Sequence, residues 1–119
     1  MAADSLSLAF AALSDPIRRD LVARLAAGDA TVGELAAPHD VSKQAIAKHL
    51  HVLESAGLVT RPGDAYRKPV RLEAEVLDLM TKWIERYRRQ ADERYRRLDD
   101  LLTTMPEEPS PPTTEETSP

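Results

Sequence analysis

The sequence predicts a mainly α-helical chain with one small β-hairpin, in the element order α-α-α-α-β-β-α. Three observations predict it. Apolar residues recur at helical spacing between capping and stopping residues through most of residues 6–57. The period then changes to two on either side of a Pro-Gly turn within residues 58–72. From about Glu73 to Thr103 an unbroken three-four spacing returns.

The opening segment, with Leu6, Leu8, Phe10, Ala11 and Leu13, predicts a short helix ending near Ser14. It has no clean polar face, so it needs a neighbour to cover it. Ser14-Asp15-Pro16 is a helix start, because the fixed φ of proline suits a first turn. The second helix is expected over Pro16–Ala27 with Ile17, Leu21, Val22 and Leu25 inward, and Arg18, Arg19 and Arg24 on a solvated outer face. Thr31-Val-Gly-Glu34 fits a capping box opening a short third helix that Pro38 ends.

After the connection His39-Asp40-Val41, Ser42 can cap a fourth helix running to about Ser55, with Gly57 supplying a left-handed C-terminal residue. Ala45, Ile46, His49, Leu50, Val52 and Leu53 are assigned to its inner side. Lys43, Gln44, Ala47, Lys48 and His51 form a polar arc on the other, with no acid before Glu54. A solvated face would ordinarily mix charges in i,i+4 pairs. Two short helices joined by a brief turn, the second presenting such an arc, make a helix-turn-helix suited to a major groove, where glutamine can pair with adenine and lysine with guanine or phosphate.

Leu58 to Arg61 reads as a strand, Arg61-Pro62-Gly63-Asp64 as a type II turn, and Tyr66 to Leu72 as the return. Pro62 and Pro69 suit a free hairpin in which every strand is an edge. Tipped with Arg67 and Lys68, it would be the wing of a winged helix-turn-helix. The final helix carries Val76, Met80, Trp83, Tyr87, Ala91, Tyr95, Leu98 and Leu102 along one stripe and would be roughly 45 Å long. So long a stripe exceeds what its own chain can cover and implies a second copy, with the apolar first helix as neighbour. The predicted interface is Leu6, Phe10, Leu13, Val76, Met80, Trp83, Tyr87, Tyr95, Leu98 and Leu102. Residues 105–119 are rich in Pro, Glu, Thr and Ser and are expected to form a disordered acidic tail after a DNA-binding domain over 1–104.

The formal charge of −4 resolves once it is divided along the chain. Glu107, Glu108, Glu115 and Glu116 account for all of it, whereas residues 42–72 hold six cations against Glu54 and Asp64. Local charge decides whether a phosphate backbone is attracted. Cysteine is absent, which excludes disulfides and thiolate chemistry. The sequence shows neither a membrane-length apolar run nor a secretory signal, so a cytoplasmic protein is expected. No Gly-rich phosphate loop or nucleophile-base pair suggests an enzyme.

Taken together, Ala12-Leu-Ser-Asp-Pro-Ile-Arg-Arg-Asp-Leu21, Thr31-Val-Gly-Glu-Leu-Ala36, Val41 to Leu53 and Glu54-Ser-Ala-Gly-Leu-Val59 resemble the ArsR/SmtB family of bacterial winged helix-turn-helix repressors. The resemblance covers nearly everything from residue 6 to 103. It implies a homodimer built on the first and last helices, a recognition helix at 42–55 and wings touching flanking backbone or minor groove. Ala47 stands where the family often carries serine. Family metal sensors use cysteine near the third helix, or His and acidic ligands along the last; this chain has no cysteine and no histidine there. His39, His49 and His51 lack the paired spacing of a tetrahedral site, so no metal and no cofactor is expected.

The expected function is therefore sequence-specific repression, with its own operon as a candidate target, by a homodimer on an inverted-repeat operator in double-stranded DNA. The expected contacts are Ser42, Lys43, Gln44, Ala47, Lys48 and His51 on the helix, with Arg61, Arg67, Lys68 and Arg71 on the wing. The alternative is a winged-helix protein-interaction module docking a partner through its long C-terminal helix. Trp83 and Tyr87 fit either core packing, the commoner role for aromatics at this spacing, or a small-molecule inducer pocket.

Overall fold

The computed structural model describes residues 4–61 and 68–104. Its elements are α1 (Ser5–Ala12), α2 (Pro16–Ala27), α3 (Val32–Ala36), α4 (Lys43–Ser55), β1 (Val59–Thr60), β2 (Arg71–Leu72) and α5 (Ala74–Thr104). The turn at Pro62-Gly63-Asp64, Tyr66, Arg67 and the tail 105–119 lie outside the described residues. Two compact units divide at Ile84 and Glu85.

Helices α1 to α4 each begin where a side-chain oxygen meets an orphan amide. Asp4 accepts from Ser7 N–H at 2.7 Å, Asp15 from Arg18 N–H at 3.1 Å and Ser42 from Ala45 N–H at 3.1 Å. The capping box is complete, with Glu34 N–H donating to Thr31 Oγ1 and Thr31 N–H donating to Glu34 Oε1. Helix α4 ends in a Schellman arrangement. Leu58 N–H reaches Leu53 O at 2.9 Å and Gly57 N–H reaches Glu54 O at 3.0 Å. Gly57 has φ +78°, and a Cβ there would stand 3.1 Å from Val76, so both backbone and space call for glycine.

The core of the first unit gathers Leu21 and Leu25 of α2, Val32 and Leu35 of α3, Ile46, Leu50 and Leu53 of α4, then Leu58, Val59, Val70 and Met80. Helix α1 contributes Ala9 and Ala12, with Leu6 and Leu13 packed on the margin. Val52 is not among them. It is 39% exposed, because it lies about 200° around α4 from Leu50, off the stripe of Ile46, Leu50 and Leu53.

The hairpin is better anchored than predicted. Among the described residues, Val59↔Leu72 and Thr60↔Arg71 pair between β1 and β2. On the other side, Val70 N–H donates to Ala30 O at 2.7 Å and Ala30 N–H to Val70 O at 3.2 Å. The returning chain is thus flanked on both sides, which corrects the free-hairpin expectation. Pro69 is tolerated because it falls just before the bridge, where no amide is required.

The expectation of a solvated outer face on α2 is corrected at Arg18. Arg18 Nε donates to Ala12 O at 2.6 Å and Arg19 Nη1 to Leu13 O at 2.9 Å, so both cations satisfy carbonyls that α1 leaves unpaired at its end. Arg19 nevertheless stays exposed as expected, and so does Arg24, paired with Asp20 one turn back at 2.7 Å. No helix among the described residues is long and apolar enough to cross a membrane.

Along α5 only Met80 is fully buried, while Val76 packs on the core margin. Those two predicted interface residues are therefore covered by their own chain. Phe10, Trp83 and Tyr87 are exposed, as are Tyr95, Leu98 and Leu102. Phe10 and Trp83 meet edge to face with centroids 5.6 Å apart. Glu85 through Thr104, the described part of the second unit, is helix throughout; Arg88 bridges Glu85 at 2.9 Å and Asp92 at 2.8 Å along it.

Candidate nucleic-acid interface

Helix α4 is clamped from beneath by Ile46, Leu50 and Leu53, each 0% exposed. That anchorage fixes which face turns outward. Ser42, Lys43, Gln44, Lys48 and His51 are all exposed, and Ala47 is half-buried between them. The small side chain at 47 leaves the arc free of a central bulge. Lys43 Nζ lies 3.9 Å from where a Cβ on Gly33 would stand, so its ammonium sits over the start of α3. His51 is the most open of the three histidines, its side chain 72% exposed and its Nδ1 4.0 Å from Glu54.

On the hairpin, Lys68 and Arg71 are exposed. Arg61 is placed differently. Its Nε and Nη2 both lie 3.3 Å from Glu54 Oε1, and its side chain is only 17% exposed. The root of the hairpin is thereby tied to the last turn of α4. Arg67, the remaining predicted contact, lies outside the described residues.

The other two histidines secure the helix-turn-helix from behind. His49 Nδ1 receives Arg18 Nη1 at 3.2 Å and lies 3.9 Å from Asp15. Since arginine can only donate, that ring nitrogen is the acceptor in this contact. His39 Nε2 sits 2.9 Å from Asp20 Oδ2, an electrostatic contact outside hydrogen-bond angles. Asp15 is held below the ordinary carboxylate range chiefly by the Arg18 amide it caps. Asp20 is lowered chiefly by the Arg24 hydrogen bond. Both carboxylates carry full charge at neutral pH.

The predicted α4 arc is therefore assembled on one outward face. Three structural partners escaped the sequence reading: Arg18, which joins α1 to α4; Glu54, which holds Arg61; and Ala30, which anchors Val70. Arg18 and Ala30 gave no local signal, because their partners are six to forty residues away. Glu54 did give one, as the first acid after the cationic run. Among the described residues, no three of His, Asp and Glu converge as a metal-ligand set.

An electropositive, rigidly backed second helix followed by a hairpin is the arrangement by which winged helices enter a major groove. Residues 13–62 match the family model described as a helix-turn-helix domain. An HTH-type transcriptional regulator of Mycobacterium tuberculosis is 37% identical over 92 residues, spanning 77% of this chain and 86% of the relative. The transcriptional repressor SdpR of Bacillus subtilis is 39% identical over 51 residues, 43% of this chain and 57% of the relative. The crystal structure of an ArsR family transcriptional regulator superimposes with a TM-score of 0.69 at 31% identity, covering 75% of this chain and 98% of that one. The chain belongs to the ArsR/SmtB family of winged helix-turn-helix transcriptional regulators, and it is a regulator rather than an enzyme.

Proposed function

We propose that the chain acts as a homodimeric repressor on an inverted-repeat operator, reading bases with Gln44, Lys48 and His51. The single observation that carries this reading is the outward α4 arc, in which cations and an amide are exposed while the opposite face is locked into the core. Ser42 and Lys43 approach phosphate, Ala47 leaves room for a base edge, and Lys68, Arg67 and Arg71 contact the flanking backbone or minor groove. Arg61 joins them when it exchanges Glu54 for a phosphate. The dimer forms through α1 and α5, where Phe10, Trp83, Tyr87, Tyr95, Leu98 and Leu102 are exposed; Leu6, Leu13, Val76 and Met80 support them from the chain's own core. Two-fold symmetry then places half-sites about one helical turn apart. The similarity to a repressor supports the direction of regulation.

The test is fluorescence anisotropy with DNA from upstream of the chain's own gene against scrambled DNA, at two salt concentrations and with EDTA present. Sequence-dependent binding that survives the chelator is expected. Binding restored only by zinc would overturn the metal-independent reading. Equal weak binding to both DNAs, together with a stoichiometric protein partner on α5, would favour the interaction module instead.

A further inference from the structure

Every side chain of the outward α4 arc can form a hydrogen bond except one. Ser42, Lys43, Gln44, Lys48 and His51 are polar and exposed, whereas Ala47 stands half-buried among them. Lys43 and Gln44 precede it by about one turn and His51 follows it by one, which sets it between polar groups along the arc. Its place is fixed from the inner face, where Ile46 and Leu50 are 0% exposed. Its main chain offers a base nothing either, because Ala47 lies inside α4, Lys43–Ser55, where amide and carbonyl are engaged along the helix. Alanine has no rotamer to choose, so its methyl goes wherever the helix is set down. Position 47 is therefore a rigid apolar spot on a polar surface.

We propose that Ala47 selects thymine, packing its methyl against the C5-methyl group in the major groove. This rests on the reading of α4 as the helix that enters the groove, and adds the identity of one base to it. Thymine is the base that carries an apolar group on its major-groove edge. Cytosine would turn its N4 amino donor toward a side chain that cannot accept, leaving that donor unpaired in a closed contact. Adenine and guanine would likewise set polar atoms against the methyl. Gln44 places the contact relative to a second base. Residues three apart on a helix rise about 4.5 Å, close to the roughly 3.4 Å step between base pairs. Since glutamine pairs with adenine, the two residues together call for adenine and thymine in neighbouring base pairs of each half-site. Val41 is the rival apolar group, 39% exposed, but it precedes the cap Ser42 and so stands outside the helical arc.

The test uses the full-length protein and a duplex that it selects from random-sequence DNA. Each thymine is replaced in turn, in both half-sites at once, by deoxyuridine, which keeps the pairing and the hydrogen-bonding edges and removes only the methyl. Anisotropy titrations then compare Kd for the thymine and uracil duplexes with the parent, Ala47→Gly and Val41→Ala. Both duplexes meet the same variant, so a folding defect affects them alike and leaves the ratio unchanged. One replacement should weaken the parent by about fourfold per half-site, or roughly 15-fold in all, as expected for one buried methyl. That ratio should fall close to 1 in Ala47→Gly and persist in Val41→Ala. A ratio that persists in Ala47→Gly, one that vanishes only in Val41→Ala, or a parent indifferent to every replacement would overturn the assignment of Ala47 and leave sequence-specific binding standing. A parent that selects no common sequence would sink both.

Discussion

Glu54→Gln should make DNA binding tighter and more sensitive to salt. In the free protein Glu54 Oε1 holds Arg61 through two nitrogens at 3.3 Å, leaving that side chain only 17% exposed. The cations proposed to meet phosphate are then Lys43, Arg67, Lys68 and Arg71, or eight in the proposed dimer. Eight phosphate contacts give a slope of log affinity against log salt of about −7. Removing the charge of Glu54 while keeping its shape releases Arg61 in both protomers, and ten contacts give about −9. Between about 50 and 200 mM salt the variant should therefore lose roughly 12-fold more affinity than the parent, having started tighter. Anisotropy titrations at four salt concentrations measure the slope. The double variant Glu54→Gln with Arg61→Ala separates released arginine from relieved repulsion and should return the slope to the parent value. An unchanged slope in the single variant, with an unchanged melting temperature, would refute the idea that Arg61 exchanges Glu54 for phosphate.

Other outcomes follow from the same geometry. Arg18→Met keeps the apolar stem but removes the donors to Ala12 O and His49 Nδ1; discounting for partial exposure, the loss should be about 2 kcal/mol, read as a lower urea midpoint at unchanged m and fixed protomer concentration. A change below roughly 0.5 kcal/mol would mean that water replaces the guanidinium freely. Gln44→Ala should weaken operator binding by about 1–3 kcal/mol while leaving scrambled DNA unaffected, whereas Lys68→Ala should weaken both alike; retained sequence preference in Gln44→Ala would remove that residue from the readout. Asp15 binds its proton less readily in the folded than in the unfolded chain, so its stabilisation is complete above about pH 5 and is lost progressively as pH falls further. The melting difference between the parent and Asp15→Asn should accordingly be constant from neutral pH to about pH 5 and close below it. A gap that widened on acidification would reverse the assigned sign.

Much of this chain was legible because its signals are local. A cap works over three residues, which is why Ser42, Thr31-Glu34 and Asp15-Pro16 placed the helix starts within a residue of where they lie. Periodicity likewise marked Ile46, Leu50 and Leu53 as the buried face of α4, and that alone turned Gln44, Lys48 and His51 outward. Val52 was misjudged because an apolar residue between two inward ones invites inclusion, although the helix angle excludes it. The sequence by itself thus determined the order of elements, the outward polar face of α4 and the separation of charge between residues 42–72 and the tail. Tertiary structure decided what depends on pairs distant along the chain. Arg18 and Arg19 became braces of α1, Val70 gained Ala30 as a second neighbour, and Arg61 turned from solvent to Glu54. Pattern cannot foresee these choices, because a cation or a strand edge has many equivalent partners in sequence and only folding leaves one within reach.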